Sequence, residues 1–191
     1  MKIGIFGGSF NPVHNMHINI SLELIKKEYL DIVIYVPTGD NYNKKDLINF
    51  KDRLNMLKLI VSEHSNLLVS DIGNDNNYQY TYQVLDYFKN LNLESDIYFI
   101  CGSDNLLEFN IWKNYQYILE NYKLLVIKRN GDNLDNILNK YNEYIKNIIV
   151  TDILEVKLSS TDIRNNIDNA SGCLHPKVYS YIKKNNLYRK R

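Results

Sequence analysis

The sequence has few cysteines, and the two that it has are far apart. Cys101 and Cys173 form no Cys-x-x-Cys pair, and no histidines cluster beside them. Neither a disulfide framework nor a zinc site is therefore indicated, and we predict no resident metal. A chain of 191 residues can bury enough apolar surface to fold without such links. The shortage of cysteine fits a reducing compartment, and a cytoplasmic location is expected.

Long apolar runs and an excess of charge are also missing. No run approaches the roughly 20 residues of a transmembrane helix, and the first residues resemble a strand rather than a signal peptide. The net charge is only +1, from 23 basic and 22 acidic residues. Such a chain has no long-range field, so we expect neither nucleic acid nor a membrane as a partner. Any polyanion must be held by local contacts.

Short strand-like runs alternate with segments of helical periodicity along the chain. We predict strands at 2–6, 32–37, 66–70, 96–101, 123–128 and 147–151, and helices near 16–28, 50–63, 79–91, 114–120 and 133–145. This alternation is typical of an α/β fold with a doubly wound parallel sheet that helices cover on both faces. No internal repeat, linker or break in composition is evident, so a single domain over residues 1–191 is predicted.

The part of the chain after about residue 155 is predicted to be helical. Ser160 is expected to be the N-cap of a short helix that ends near Asp168. Pro176 fits the first turn of a closing helix that extends to Lys184. Two helices are therefore expected to follow the last strand.

The segment after the first strand has the composition of a phosphate-binding loop. Gly7, Gly8, Ser9 and Phe10 lie where the strand ends and a helix is about to begin. In an open α/β sheet, ligands bind beyond the carboxyl ends of the strands, where a helix N-terminus attracts anions. Paired glycines let the backbone approach a phosphate, although a tight turn needs glycine too. Neither G-x-x-x-x-G-K-[ST] nor G-x-G-x-x-G occurs here, which disfavours a P-loop kinase and a dinucleotide oxidoreductase.

Two histidines follow this loop. His14 and His17 are three residues apart at the predicted helix start, so they share a face that points back toward the loop. Two imidazoles beside a phosphate loop would stabilise negative charge. An isolated H-x-x-H is explained equally well by one capping and one packing histidine, but the preceding Gly-Gly-Ser-Phe-Asn-Pro favours a functional pair.

Motifs at opposite ends of the chain resemble those of a known family. Residues 7–17, with G-G-S-F-N-P-V-H and a second histidine, resemble the signature of the nucleotidyltransferase superfamily, and residues 159–164 resemble its S-S-T-x-I-R motif. Nearly the whole chain is similar to bacterial nicotinate mononucleotide adenylyltransferases, with further matches at 36–37, 53–57, 80–82, 102–104, 112, 128–131, 176–178 and 186–188. The resemblance implies a Rossmann-like nucleotidyltransferase fold.

The same resemblance implies a reaction. The phosphate of nicotinic acid mononucleotide would attack the α-phosphorus of ATP, giving nicotinic acid adenine dinucleotide and pyrophosphate. His14, His17 and Arg164 would be catalytic, and Mg²⁺ would arrive with ATP and need few or no protein ligands. The full set implied for ATP binding is Gly7, Gly8, Ser9, Phe10, His14, His17, Ser159, Ser160, Thr161, Ile163 and Arg164.

A second group of residues is implied for the acceptor: Lys44, Thr81, Gly102, Asp104, Trp112 and Lys113. Trp112 would stack on the nicotinate ring, although core packing explains this residue too. Asp104 would contact ribose hydroxyls or the pyridine end of the acceptor, although it could equally cap the following helix. Thr81 would present backbone N–H groups to the nicotinate carboxylate.

The sequence departs from the family pattern at two places, and other acceptors or functions remain compatible with it. Met16 replaces the glycine of the H-x-G-H form, and the loop over residues 38–46 lacks the family's Pro-Pro-His-Lys. The same fold and ATP site would also serve nicotinamide mononucleotide or phosphopantetheine as acceptor, or a non-catalytic nucleotide-binding module. A homo-oligomer is compatible with the sequence.

Overall fold

The computed structural model describes residues 1–41, 46–129, 131–155 and 158–189. Within these ranges one parallel sheet has the strand order β3-β2-β1-β4-β5-β6. The strands are β1 (Lys2–Gly8), β2 (Ile32–Pro37), β3 (Leu67–Val69), β4 (Asp96–Gly102), β5 (Lys123–Arg129) and β6 (Ile148–Glu155). The order reverses between β1 and β4, so the sheet is doubly wound and has its switch point there.

Helices cover both faces of this sheet. They are α1 (Asn15–Lys26), α2 (Phe50–Val61), α3 (Thr81–Leu91), α4 (Ser103–Leu107), α5 (Tyr115–Asn121), α6 (Leu134–Asn139), α7 (Ser160–Asn165) and α8 (Pro176–Lys184). Short 3₁₀ segments occur at Ile72–Asn74, Phe109–Ile111, Asn142–Asn147 and Ile167–Cys173. Helices α1, α2, α7 and α8 pack on one face, and α3 to α6 pack on the other. No helix in the described ranges is long and apolar enough to cross a membrane.

The apolar composition of the central strands follows from burial on two sides. In β4, Ile97, Phe99 and Cys101 belong to the core under α3 to α6, whereas Tyr98 and Ile100 belong to the opposite core. A strand that is buried on both faces loses the alternation of polar and apolar residues and becomes continuously apolar. This is why the strands of the sheet could be recognised from sequence as short apolar runs.

The predicted doubly wound parallel fold is confirmed, and three local predictions are wrong. The helix predicted at 133–145 is interrupted after Asn139, because Tyr141 turns inward, is 2% exposed, and donates a hydrogen bond to the Leu106 carbonyl at 2.8 Å. Gly7 and Gly8 belong to β1, paired with β2, rather than to a loop after it.

The N-cap of α7 is Ser159 rather than the predicted Ser160. The Ser159 hydroxyl accepts a hydrogen bond from the Asp162 amide at 3.1 Å. Ser160 is the first helical residue, and its hydroxyl instead donates to the Pro12 carbonyl at 3.0 Å. Either serine has the chemistry of a cap, so this tertiary contact decides between them.

Candidate active site

A cleft of about 1240 Å³ opens at the carboxyl ends of β1 and β4, where an open α/β sheet binds its ligands. Of the site residues predicted from sequence, those that line it are Gly7, Gly8, Ser9, Phe10, His14, His17, Thr81, Gly102, Asp104, Trp112, Lys113, Ser159, Ser160, Thr161 and Arg164. The side chain of Ile163 is buried in the core instead. Lys44 lies outside the described residues. The cleft therefore combines residues from both sequence motifs.

The turn after β1 is held from beneath by a buried arginine. The Arg53 guanidinium is fully buried and donates to the carbonyl oxygens of Ser9 at 3.1 Å and Thr38 at 2.7 Å. Its Nε donates to the Ile48 carbonyl at 3.0 Å, and its Nη2 lies 3.3 Å from the Asp40 carboxylate. Arg53 thus ties the turns after β1 and β2 together. The sequence marks it only as a family match, because side-chain bonds to backbone carbonyls leave no pattern.

Phe10 shapes the same turn. Its φ is +43°, a backbone region that residues other than glycine rarely adopt. The buried ring lies edge-on to Phe6 at 5.7 Å, Tyr35 at 5.5 Å and His17 at 5.1 Å. Aromatic packing therefore stabilises a turn conformation that the backbone alone would not favour.

The two histidines meet at the start of α1. His14 is the N-cap and His17 the third helical residue, and their ring centroids are 3.7 Å apart in a stacked arrangement. His17 Nδ1 accepts a hydrogen bond from the His14 backbone N–H at 3.2 Å. Because Nδ1 is the acceptor, Nε2 carries the hydrogen and is the donor of the neutral ring. The capping role that an isolated H-x-x-H suggests is therefore present, and it orients a side chain that also lines the cleft.

Burial keeps both imidazoles neutral. It lowers the pKa of His14 from 6.5 to about 4, with the positive charge of Arg129 acting in the same direction. The pKa of His17 also lies well below 6.5, because of burial first and then the charges of His14 and Arg129. Among the described residues His14 Nδ1 is buried without a hydrogen-bond partner. An anion bound here would supply a partner and would raise both pKa values.

These pKa values predict acid sensitivity of the ligand-free protein. The folded-state pKa of His14 is about 4 against an ordinary 6.5, so between these values the unfolded chain binds more protons than the folded one. The contribution to stability is complete above pH 6.5 and is lost as the pH falls through this window. Denaturant unfolding from pH 7.5 to 4.5 should show the free energy of unfolding falling, with a slope that is shallower by about one proton in His14→Gln. If the free energy of unfolding falls equally steeply with pH in the wild type and in His14→Gln, the lowered pKa of His14 is contradicted.

Arg164 joins the C-terminal motif to the loop before α1. Its Nη1 donates to the Asn11 carbonyl at 2.8 Å and its Nη2 to Thr161 Oγ1 at 3.2 Å. The next carbonyl, of Pro12, accepts from the Ser160 hydroxyl at 3.0 Å. Hydrogen bonds to two successive carbonyls therefore hold α7 against the loop. The structure thus brings Arg164, His14 and His17 to one cleft from opposite ends of the chain.

An ion pair occupies the side of the cleft formed by β4 and β5. Asp104 Oδ2 accepts from Arg129 Nη1 at 2.6 Å. A Cβ at position 102 would meet the Asp104 carboxylate and would lie 3.3 Å from Arg129 Nε, so a larger residue than Gly102 would displace the Asp104 side chain. Asp104 lies in the first turn of α4 without acting as its cap. Its Oδ1 is buried and without a partner in the part of the chain that the structure describes, so a ligand hydroxyl would satisfy it.

Two further residues predicted for the acceptor, Thr81 and Trp112, belong to the elements on the α3 to α6 face of the sheet. Thr81 is the first residue of α3, where backbone N–H groups have no acceptor within the helix. Trp112 packs against Phe109 at 4.9 Å and Phe99 at 5.8 Å between ring centroids, and it also lines the cleft. Trp112 can therefore pack in the core and also offer part of its ring to a ligand in the cleft. Lys113 beside it is exposed.

Met16 does not line this cleft. Its side chain packs against the core between the sheet and helices α1, α2, α7 and α8, and in the described chain the cleft lining includes His14 and His17 but not Met16. The departure from H-x-G-H therefore adds apolar packing. Arg129, which the sequence marked only as part of a family match, and Asp132, which it did not mark, also line the cleft.

Solved structures share this architecture. The Plasmodium falciparum nicotinic acid mononucleotide adenylyltransferase complexed with NaAD superposes with a TM-score of 0.81 over 98% of this chain and 97% of its own, at 23% identity. A putative nicotinate-nucleotide adenylyltransferase from Vibrio parahaemolyticus gives a TM-score of 0.71 over 100% of this chain and 96% of its own, also at 23% identity. At this level of identity the match establishes the fold.

Sequence comparisons establish the family. The model of the cytidylyltransferase-like family matches residues 5–166. Probable nicotinate-nucleotide adenylyltransferases from Clostridium acetobutylicum and Clostridium tetani are 36% and 34% identical to this chain, covering 98% of it and 98% and 99% of their own lengths. With both motifs assembled in one cleft, this chain belongs to the cytidylyltransferase-like family and is a nucleotidyltransferase.

Proposed function

We propose that this protein is a nicotinate-nucleotide adenylyltransferase of NAD biosynthesis, which transfers AMP from ATP to nicotinic acid mononucleotide. The observation that carries the proposal is the convergence of His14, His17 and Arg164 on one cleft, which Thr81 and Trp112 also line. The names of the full-length relatives support the choice of acceptor. The cleft also has the volume to hold both substrates, because small-molecule sites commonly range from about 300 to 1,000 Å³.

The ATP phosphates are proposed to lie over the end of β1 and the start of α1. Backbone groups of Gly7, Gly8, Ser9 and Phe10 would surround them, and the α1 N-terminus would contribute the positive end of its dipole. His17 Nε2 would donate to the α-phosphate region as a neutral ring whose orientation is already set by its Nδ1 bond. Thus the donor needs no reorganisation when negative charge develops.

Arg164 is proposed to bind the β- and γ-phosphates, together with the hydroxyl groups of the serine-rich segment at 159–161. Its guanidinium is held by the Asn11 carbonyl on one side and by Thr161 on the other. A planar guanidinium can contact two phosphate oxygens at once. It would therefore stabilise the pyrophosphate as it leaves.

The chemistry needs no covalent intermediate and no strong base. An oxygen of the acceptor phosphate forms a bond to the α-phosphorus, the bond from that phosphorus to the bridging oxygen breaks, and pyrophosphate takes the electron pair. The second pKa of a phosphate ester is about 6, so the nucleophile is largely ionised at neutral pH. Catalysis then rests on positioning and on stabilisation of negative charge.

The acceptor is proposed to bind at the α3 end of the cleft. The first N–H groups of α3, at Thr81, would receive the nicotinate carboxylate, and Trp112 would stack on the ring. The unpartnered Oδ1 of Asp104 would accept from a ribose hydroxyl. Lys113, which lines the cleft, and Lys44 are proposed as further contacts to the acceptor.

Mg²⁺ is proposed to enter with ATP. The ATP phosphates would supply the hard oxygen ligands that Mg²⁺ prefers, with few or no ligands from the protein. When bound, the ion would neutralise phosphate charge. We further propose that the enzyme acts in the cytoplasm, where free thiols such as those of Cys101 and Cys173 persist.

The proposal is tested by the release of pyrophosphate from ATP and Mg²⁺ with each acceptor in turn. We expect the highest kcat/KM with nicotinic acid mononucleotide. Higher turnover of nicotinamide mononucleotide or phosphopantetheine would reassign the acceptor. Binding of ATP without turnover of any of the three acceptors would indicate that the protein is a non-catalytic nucleotide-binding module.

Trp112→Ala should raise the KM for nicotinic acid mononucleotide by at least about tenfold, because base–aromatic stacking contributes roughly 1–3 kcal/mol per ring. The KM for ATP should change far less. Steady-state kinetics with each substrate varied separately measures both constants. Tyr87→Ala is the matched control, since Tyr87 packs against the same apolar core without lining the cleft. An equal loss for both substrates would assign Trp112 to packing.

A further inference from the structure

A tyrosine near the end of the chain contacts the loop that precedes α1. The Tyr188 hydroxyl donates to Asn11 Oδ1 at 3.0 Å. Burial raises the pKa of this phenol, so it remains a protonated donor at physiological pH. The ring packs against the core beside α8. Tyr188 has a φ of +62°, which is costly for a bulky side chain and persists only where surrounding contacts determine it.

Asn11 uses both atoms of its side-chain amide and its backbone carbonyl in tertiary contacts. It is 1% exposed. Its Oδ1 accepts from Tyr188 and from the Ile48 amide at 3.3 Å, and its Nδ2 donates to the Asp46 carbonyl at 2.8 Å. Its own carbonyl accepts from Arg164 Nη1 at 2.8 Å. One residue therefore connects Tyr188 to the arginine of the C-terminal motif.

We propose that Tyr188 is a positioning residue for ATP binding, which acts by fixing Asn11 so that the Asn11 carbonyl orients the Arg164 guanidinium. This inference rests on the proposed function, in which Arg164 binds the β- and γ-phosphates. The side chain of Asn11 and its carbonyl belong to one buried residue, so loosening one loosens the other. The end of the chain thereby contributes to the phosphate site without touching a phosphate.

The test compares two tyrosines at the C-terminus that differ in what their hydroxyls contact. Tyr188→Phe keeps the packed ring and removes only the bond to Asn11. Tyr181→Phe is the matched control, because the Tyr181 hydroxyl contacts Asp52 at 2.7 Å and Asn55 at 3.1 Å on α2. The Kd for ATP is measured by calorimetry on the whole protein without acceptor, and kcat is measured with nicotinic acid mononucleotide. We expect Tyr188→Phe to raise the Kd for ATP by about fivefold and Tyr181→Phe to leave it unchanged.

A double-mutant cycle separates positioning from general stability. In an Arg164→Ala background, Tyr188→Phe should no longer change the Kd for ATP, because the group that it positions is gone. An effect of the same size in both backgrounds would overturn the proposal, as would an unchanged Kd in Tyr188→Phe or equal effects of the two tyrosine substitutions. ATP binding by the wild type without turnover of the acceptor would reject the proposed function alone, since the cycle uses binding as its readout.

Discussion

Arg164→Ala is expected to lower kcat/KM for ATP by about 10²- to 10³-fold, with kcat falling as well as affinity. The guanidinium is fixed by the Asn11 carbonyl and Thr161 Oγ1 before any ligand binds, so its charge needs no reorganisation when the pyrophosphate leaves. Steady-state kinetics with saturating acceptor measures the two constants. The expectation follows from the proposed role of this side chain at the β- and γ-phosphates.

Arg164→Lys is the informative control. It keeps the positive charge but cannot form two parallel hydrogen bonds, so we expect an activity between those of the wild type and Arg164→Ala. Melting temperatures of both variants should lie close together, since each loses the guanidinium that bonds to Asn11 and Thr161 through two separate nitrogens. If Arg164→Ala has the same kcat/KM as the wild type, Arg164 does not bind the phosphates of ATP.

His17→Ala is expected to reduce kcat by about 10²-fold or more, because it removes a donor whose direction is already set. His17 Nδ1 accepts a hydrogen bond from the His14 N–H, so the hydrogen of the neutral ring is on Nε2. The ring also packs against Phe6 and Phe10, and these contacts keep its orientation fixed. The variant also leaves the His14 amide without its acceptor. Single-turnover measurements would separate the chemical step from substrate binding and product release.

His64→Ala is the matched control for this variant. His64 follows the end of α2 and does not line the cleft among the described residues, so its substitution should leave kcat unchanged. A change in His17→Ala that is confined to KM would contradict a role in stabilising the transition state. Together with the arginine variants, this result would divide the stabilisation between the two motifs.

In the proposed site, an anion would be stabilised by neutral donors as well as by the charge of Arg164. His14 and His17 have pKa values lowered by burial, and the helix terminus contributes partial charges. Arg53 is buried beneath the turn and bonded to backbone carbonyls, so its role is structural. A net charge near zero is therefore compatible with the phosphate binding that we propose, because the candidate donors are concentrated where the two motifs meet.

Apolar runs and helical periodicity were sufficient to predict the sheet and most helices. The strand predicted at 96–101 is observed at Asp96–Gly102, and the helix predicted at 50–63 at Phe50–Val61, because burial on both faces or on one stripe determines these patterns. The five-residue helix α4 is too short to show a period and was missed. The interruption after Asn139 was missed because it depends on the distant contact of Tyr141 with Leu106.

From the residues alone one could recognise the doubly wound α/β class and the glycine loop with its two histidines, and the family resemblance added the C-terminal motif and the candidate acceptor residues. These features are local, since spacing along the chain specifies them. The assignment of Ser159 as the cap, the packing of Met16 into the core, and the contacts of Arg53, Arg129 and Tyr188 depended on the folded chain. Each depends on a contact between groups that are distant in sequence, often with a backbone carbonyl as one partner. These groups come together only when the sheet and its helices have formed.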